Sequence, residues 1–176
     1  MKLHLGCGNK RIEGFINIDC RYLPTVDVVE NIRFLRTFKN NSVELIYASH
    51  VLEHFSRWEY KQCLRRWFEI LQPGGIARIA IPDFEMICEH YMKFRDLRKL
   101  SGLLYGGQDY EENNHFWCWD SDNIKKELFE IGFSSIKKYD WKKTEHSHID
   151  DCSQAYLPHM DKENGMLMSL NVEAVK

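Results

Sequence analysis

The feature that most constrains the fold lies at the start of the chain, where a short apolar run opens directly into a Gly-X-Gly turn. The run is Leu3-His4-Leu5, and Gly6-Cys7-Gly8 follows at once. Glycines at the end of a strand let the backbone approach a ligand closely and tolerate positive φ. A second apolar run, Asn17-Ile18-Asp19, ends in a carboxylate that can bond both hydroxyls of a ribose. The pattern is typical of a nucleoside-cofactor site, although such glycines also mark ordinary tight turns.

Strand and helix patterns alternate along the chain. Apolar runs bounded by turn residues predict strands near 2–5, 16–19, 26–29, 43–48, 76–81, 135–141 and 166–175. Helical periodicity predicts helices between Phe55 and Pro73, from Phe84 to Leu104, and before Gly132. This alternation predicts a Rossmann-like α/β fold, with a mostly parallel sheet and helices on both faces.

The connection between the first two strands is unusually short. Gly8 and Asp19 are only 11 positions apart, whereas a dinucleotide-binding fold sets the acid about 20 residues beyond the glycine turn. The first crossover helix is therefore predicted to have shrunk to a turn or a loop.

Length and composition limit the remaining possibilities. A chain of 176 residues suits a single domain, 1–176. A net charge of −2 gives no basic field, so no nucleic-acid partner is expected. Six cysteines without a Cys-X-X-Cys motif predict reduced thiols and a cytoplasmic location. No apolar run approaches the ~20 residues that span a bilayer, so membrane insertion is not expected.

Three further motifs follow the glycine turn in a fixed order. They are Ser49-His50-Val51-Leu52-Glu53-His54, Leu71-Gln72-Pro73-Gly74-Gly75 and Ile81-Pro82-Asp83-Phe84. With Leu5-Gly6-Cys7-Gly8, the chain resembles the class I S-adenosylmethionine-dependent methyltransferases, in the branch with LGCG, SHVLEH and LxPGG motifs. Within that branch it is most similar to a small group of predicted methyltransferases without a settled substrate. The segments that carry this similarity are Gly14-Phe15-Ile16-Asn17-Ile18-Asp19, Ile81-Pro82-Asp83-Phe84, Gly106-Gly107-Gln108 and Ser169-Leu170-Asn171-Val172-Glu173-Ala174. The resemblance implies S-adenosylmethionine as cofactor, S-adenosylhomocysteine as product, and an antiparallel strand at 166–175 inserted before the sheet edge.

The same resemblance implies which residues contact the cofactor. The glycine turn would line its methionine and ribose side, and Asp19 would hold the ribose hydroxyls. Asn31 and Ile32 would meet the adenine, although Asn31 also suits a helix cap or turn. The implied cofactor-binding residues are Gly6, Cys7, Gly8, Asp19, Asn31, Ile32, Ser49 and His50.

The expected reaction moves a methyl group to an oxygen or nitrogen of a small or mid-sized acceptor, with a sugar or glycan intermediate as the first hypothesis. Removing the acceptor's proton favours a histidine, because its pKa lies near neutrality. His50 is the first candidate. Asp83, at the end of the fifth strand, and His115, in a possible lid, are further catalytic candidates, whereas His54 is expected to be structural.

Two other functions remain open at this point. His4 and Lys10 stand where the class often has an acid and a third glycine, which suits a catalytically silent cofactor-binding protein. His146, His148 and Asp150 suggest a metal-dependent hydrolase, but they lack a fixed ligand spacing and a distant anchor. We therefore predict no metal and interpret this segment as a loop that reaches back over the pocket.

Overall fold

The computed structural model describes all residues, 1–176. The strands are β1 (Lys2–Leu5), β2 (Ile16–Asp19), β3 (Val28–Val29), β4 (Val43–Ser49), β5 (Leu71–Pro82), β6 (Ser134–Lys138), β7 (Tyr156–Leu157), β8 (Met166–Leu167) and β9 (Ser169–Val175). The helices are α1 (Tyr60–Ile70), α2 (Phe84–Phe94), α3 (Ser101–Tyr105) and α4 (Ser121–Ile131).

Seven of the strands form one sheet in the order β3-β2-β1-β4-β5-β9-β6, while β7 and β8 pair separately. Strands β1 to β5 run parallel to one another. Strand β9 runs antiparallel between β5 and the edge strand β6. The predicted mostly parallel α/β sheet with an inserted antiparallel strand is confirmed.

The main apolar core lies between one sheet face and helices α1 and α4. Alternate residues of the strands, such as Leu3, Ile46 and Ile79, join Trp67 of α1 and Leu128 of α4 in a single cluster. All five side chains are fully buried. Burial of each such side chain contributes roughly 1.5–3 kcal/mol, so this helical face supplies most of the apolar stabilisation.

The first crossover contains no helix, as predicted, and the buried side chain of Asn17 organises it. Its Oδ1 accepts hydrogen bonds from the Ile12 amide at 2.9 Å and from Nδ1 of His4 at 3.0 Å. Its Nδ2 donates to the carbonyls of Ile12 and Phe15. One side chain thus satisfies backbone groups that a helix would otherwise pair, which allows parallel strands to be joined by so short a connection.

The opposite sheet face is covered largely by the segment between β6 and β8, which contains short 3-10 turns but no α-helix. Tyr47 of β4 donates from its hydroxyl to Asp151 at 2.6 Å, and its ring centroid lies 3.9 Å from that of His146. Ile87 of helix α2 belongs to a small cluster with Leu100 and Met168, against which Ala155 and Leu157 of the same segment pack. Hydrogen bonds and aromatic contacts therefore close this face.

The strands predicted near 26–29 and 135–141 are shorter, at Val28–Val29 and Ser134–Lys138, and three other elements differ more. The helix predicted from Phe84 to Leu104 ends at Phe94, because Arg95 adopts a left-handed conformation with φ 55°. Strand β5 already begins at Leu71, so the following Pro-Gly-Gly segment forms an irregularity within the strand. The run 166–175 is divided into β8 and β9. None of the helices has the length and apolar composition needed to cross a membrane.

Candidate cofactor site

A cavity of about 640 Å³ opens at the carboxyl ends of β1, β2 and β4, the edge at which open α/β sheets hold ligands. Its volume lies within the range of small-molecule sites. Every residue of the implied cofactor set lines it, namely Gly6, Cys7, Gly8, Asp19, Asn31, Ile32, Ser49 and His50. The sheet topology thus brings four separate sequence segments to one cavity.

The glycine turn is fixed both by backbone conformation and by close packing. Gly6 has φ +62°, and a Cβ at this position would lie 2.4 Å from Cγ2 of Val51. Gly8 has φ +50°. A side chain at Gly6 would therefore meet both a conformational penalty and a steric clash.

The carboxylate of Asp19 is held in place by the glycine turn and by the residues that follow β2. Oδ2 accepts from the Gly8 amide at 2.9 Å, and Oδ1 accepts from the Arg21 amide at 2.9 Å and from Arg21 Nε at 3.1 Å. Burial by itself raises the pKa of Asp19, but the hydrogen bonds from Arg21 and Gly8 outweigh it and keep the pKa below its ordinary value. Asp19 is therefore an oriented, ionised acceptor at the cavity wall.

Arg21 and Tyr110 belong to this site but were missed by the sequence analysis. The Arg21 guanidinium lies 4.2 Å from the centroid of the Tyr110 ring, within the range of a cation–π contact. Arg21 could have been predicted from the sequence, because it lies only two residues after Asp19. Tyr110 also lines the cavity, but its distance along the chain gives no such signal.

Asn31 and Ile32 line the cavity and also have structural contacts. Oδ1 of Asn31 accepts from the Arg33 amide at 2.9 Å, as in the alternative turn role considered for it. The Ile32 carbonyl accepts from Trp67 Nε1 at 3.0 Å. This wall of the cavity is therefore anchored to helix α1.

His50 lines the cavity but is held by a buried hydrogen-bond chain. Its Nε2 lies 3.2 Å from the hydroxyl of Ser169, which itself donates to Oδ1 of Asn171. Because that hydroxyl proton is already used, Nε2 of His50 is the donor. Burial, with the nearby His115 and His54, lowers the pKa of His50 to about 3. Such an imidazole is poorly matched to proton removal at neutral pH.

The other two catalytic candidates do not line the cavity. Asp83 accepts from the Glu85 amide at 3.1 Å and serves as the N-cap of α2. His115 donates from Nδ1 to the Leu103 carbonyl at 2.9 Å, and its ring packs edge-on against His54 with centroids 4.7 Å apart. Asp83 is thus part of a helix cap, whereas His115 lies behind the cavity wall, beside His54 and Glu53.

The loop residues considered for a hydrolase are also dispersed. His146 is buried and accepts from Arg78 at 3.0 Å, His148 is exposed, and Asp150 pairs with Lys162 at 3.0 Å. None of them belongs to the one grouping of three or more potential metal ligands in the structure. The loop was also predicted to reach back over the pocket. It does so at Asp151, which lines the cavity.

Part of the chain matches a known family of proteins. Residues 17–79 match a family described as "Methyltransferase domain". A search of the curated proteins finds no match.

Solved structures align with nearly the whole chain. An S-adenosylmethionine-dependent methyltransferase from Archaeoglobus fulgidus has 15% identity and a TM-score of 0.60, covering 99% of this chain and 85% of its own. The 1,6-didemethyltoxoflavin-N1-methyltransferase of Burkholderia thailandensis, solved with S-adenosylhomocysteine, has 14% identity and a TM-score of 0.62, covering 99% and 70%. A Mesorhizobium loti S-adenosylmethionine-dependent methyltransferase has 16% identity and a TM-score of 0.58, covering 99% and 90%.

The protein therefore has the fold of the S-adenosylmethionine-dependent methyltransferases. The domain match over residues 17–79 supports the same class.

Proposed function

We propose that the protein is an S-adenosylmethionine-dependent methyltransferase that binds its cofactor along the Gly6–Gly8 turn and Asp19. The observation that carries this proposal is the meeting of that turn and that carboxylate in one cavity. The domain match and the shared fold support it.

The residues present fit this cofactor. A close backbone approach is available at Gly6, where a Cβ would have no room. Oδ2 of Asp19 accepts a single hydrogen bond, from Gly8, so it retains a lone pair for a ribose hydroxyl. The hydroxyl of Ser49 is buried without a hydrogen-bond partner on a residue that lines the cavity. It is a further polar group available to a ligand.

S-adenosylmethionine, when bound, supplies a methyl group already activated by its sulfonium. The protein must then mainly orient an acceptor in line with that bond, and alignment of this kind lowers a barrier by roughly 7–11 kcal/mol. We assign no proton removal to His50, because its Nε2 is a donor to Ser169 and its pKa is about 3.

The acceptor we propose is a small or mid-sized polar molecule methylated on oxygen or nitrogen, with a sugar as the first class to test. The cavity wall combines apolar surface with charged side chains, among them Lys10, Glu111, Glu112 and Asp151. These charged groups are available to hydrogen-bond the hydroxyl groups of an acceptor.

Calorimetric titration with S-adenosylhomocysteine tests cofactor binding. We expect micromolar binding that Asp19→Ala weakens roughly ten- to hundredfold, since hydrogen bonds to a charged group contribute about 1.5–3 kcal/mol each. Asp122→Ala, an exposed acid on α4, is the control and should bind normally. No binding by the unaltered protein, or equal binding by Asp19→Ala, would contradict the proposed site.

Turnover is tested separately, by following S-adenosylhomocysteine release with a panel of sugars and amines. Release that depends on one acceptor class supports methyl transfer. Tight product binding with no release across the panel would favour the catalytically silent alternative.

A further inference from the structure

A buried carboxylate lies beside the cavity without any partner. Glu53, in a short 3-10 turn (Leu52–His54), is 0% exposed. Neither oxygen of its carboxyl group has a hydrogen-bond partner. Burying an unpaired carboxylate is costly, so such groups in proteins are normally paired or bind a metal ion.

Three histidines surround this carboxylate. Nδ1 of His50 lies 3.6 Å and Nε2 of His115 lies 3.9 Å from Oε1 of Glu53. One ligand atom from each of Glu53, His54 and His115 lies within 4.8 Å of the others. The two measured separations are too long for hydrogen bonds. They are close to the spacing of roughly 3.4 Å between ligand atoms of a tetrahedral ion with bonds of about 2.1 Å.

The outer partners of the histidines leave one lone pair on each ring. His54 and His115 place Nδ1 against the carbonyls of Asn114 and Leu103, at 3.1 Å and 2.9 Å. A carbonyl oxygen can only accept, so Nδ1 carries the hydrogen and Nε2 of each neutral ring is unprotonated. Such backbone contacts are the usual means of orienting metal-binding histidines.

His50 also has one unprotonated ring nitrogen, but it is the other tautomer. Its Nε2 donates to the Ser169 hydroxyl, so the lone pair is on Nδ1, the nitrogen that faces Glu53. When Glu53 is ionised, the cluster therefore presents only acceptors to one another, and a cation is a partner that such a set fits.

We propose that Glu53, His54 and His115 bind a divalent transition-metal ion, which leaves a fourth coordination position for water or a bound ligand. Imidazole with carboxylate is a donor set that suits Zn²⁺ and similar ions, whereas Mg²⁺ and Ca²⁺ prefer oxygen alone. This is a different site from the dispersed His146 loop, and metal binding here does not depend on the proposed methyl transfer.

The site is reachable from the cavity, because His54 belongs to both. An ion held there would lie at the cavity wall, where it could polarise a bound acceptor hydroxyl. This role rests on the proposed function, although the binding itself does not.

The test is a metal titration of protein stripped with a chelator, in the absence of any cofactor. Zn²⁺ is measured by calorimetry and by metal content after dialysis, and Co²⁺ by its visible absorption. We expect one ion per chain and a Co²⁺ spectrum with nitrogen ligation. Glu53→Gln and His115→Ala should each weaken Zn²⁺ binding at least tenfold.

His148→Ala removes an exposed histidine outside the cluster and should bind as the unaltered protein does. Circular dichroism verifies that each variant is folded, and the stoichiometry of the unaltered protein stands even if one variant is not. Absence of stoichiometric Zn²⁺ binding by the unaltered protein would overturn the proposal. So would a loss of Zn²⁺ binding in His148→Ala as large as that in Glu53→Gln and His115→Ala. S-adenosylhomocysteine binding by metal-free protein would leave the proposed function intact in that case.

Discussion

Nη1 of Arg78 lies 3.0 Å from Nε2 of His146, between the sheet and the segment that covers it. A guanidinium can only donate, so Nε2 must carry the lone pair and the imidazole must be neutral. Burial, followed by the charge of Arg78, lowers the pKa of His146 to about 4. Glu145 accepts from the same guanidinium at 2.8 Å. The contact between Arg78 and His146 requires a neutral imidazole, so the free energy of unfolding should depend on pH.

The first prediction concerns stability in mild acid. The folded pKa of His146 lies below the unfolded value of 6.5, so its contribution is fully present above pH 6.5 and is lost as the pH falls towards 4. We expect its protonation to cost on the order of 3 kcal/mol across this window, of which roughly 2 kcal/mol falls above pH 5. The pKa of Glu145 is lowered to about 2, so its own contribution is lost only below about pH 4.5 and falls largely outside the window.

Urea unfolding at pH 7.5 and pH 5 measures this loss. Other buried histidines titrate in the same range, and Asp151 and His4 also act on His146, so the informative quantity is the difference from His146→Gln. This variant keeps an acceptor for Arg78 but does not titrate. It should show a smaller loss between the two pH values, and an identical loss would contradict the assignment.

The second prediction separates the two constraints at Gly6. Gly14 also has positive φ, +77°, but a Cβ there would meet nothing within 4 Å. Gly14→Ala should therefore cost only the conformational term, about 1–2 kcal/mol. Gly6→Ala should cost about 1–3 kcal/mol more, because of the clash with Val51. Adding Val51→Ala should recover part of the excess, and equal unfolding energies for the two glycine variants would argue against the close contact.

The third prediction uses the cysteines as internal probes of the cavity. Cys20 and Cys152 are exposed and line it, whereas Cys88 and Cys118 are exposed elsewhere. S-adenosylhomocysteine should slow alkylation of the first pair and leave the second pair unchanged, as measured by mass spectrometry. Burial raises the pKa of Cys20 and of Cys152 to about 11, so labelling should be done at mildly alkaline pH. Uniform protection of all four would point to a global effect instead.

The fourth prediction concerns Asp83, which the sequence analysis placed among the catalytic candidates. Since it caps α2 through the Glu85 amide, Asp83→Ala should lower the free energy of unfolding by about 1 kcal/mol. Cofactor affinity should stay within about twofold. Asp83→Asn, which retains a capping oxygen, should recover much of the stability. A folded Asp83→Ala variant that binds cofactor but has lost turnover would restore the catalytic role.

Much of the architecture could be predicted because its signals are local. Alternating apolar residues marked β1, β2 and β4 to within a residue, and the short interval from Gly8 to Asp19 required a connection without a full helix. Parallel topology then brought the strand ends together at one edge, which explains why the implied cofactor contacts share a cavity. Boundaries such as the end of α2 at Phe94 were missed, because a single left-handed residue, Arg95, has no distinctive local pattern.

The sequence by itself determined the sheet, its glycine turn and the carboxylate at the end of β2, because periodicity and spacing act through the local backbone. Only the tertiary structure decided what each polar side chain contacts. It placed Asp83 on a helix end, buried His50 against Ser169, and brought His115 to Glu53 across 62 positions. Such contacts depend on the packing of segments distant in sequence, and packing also sets the burial that decides which groups ionise.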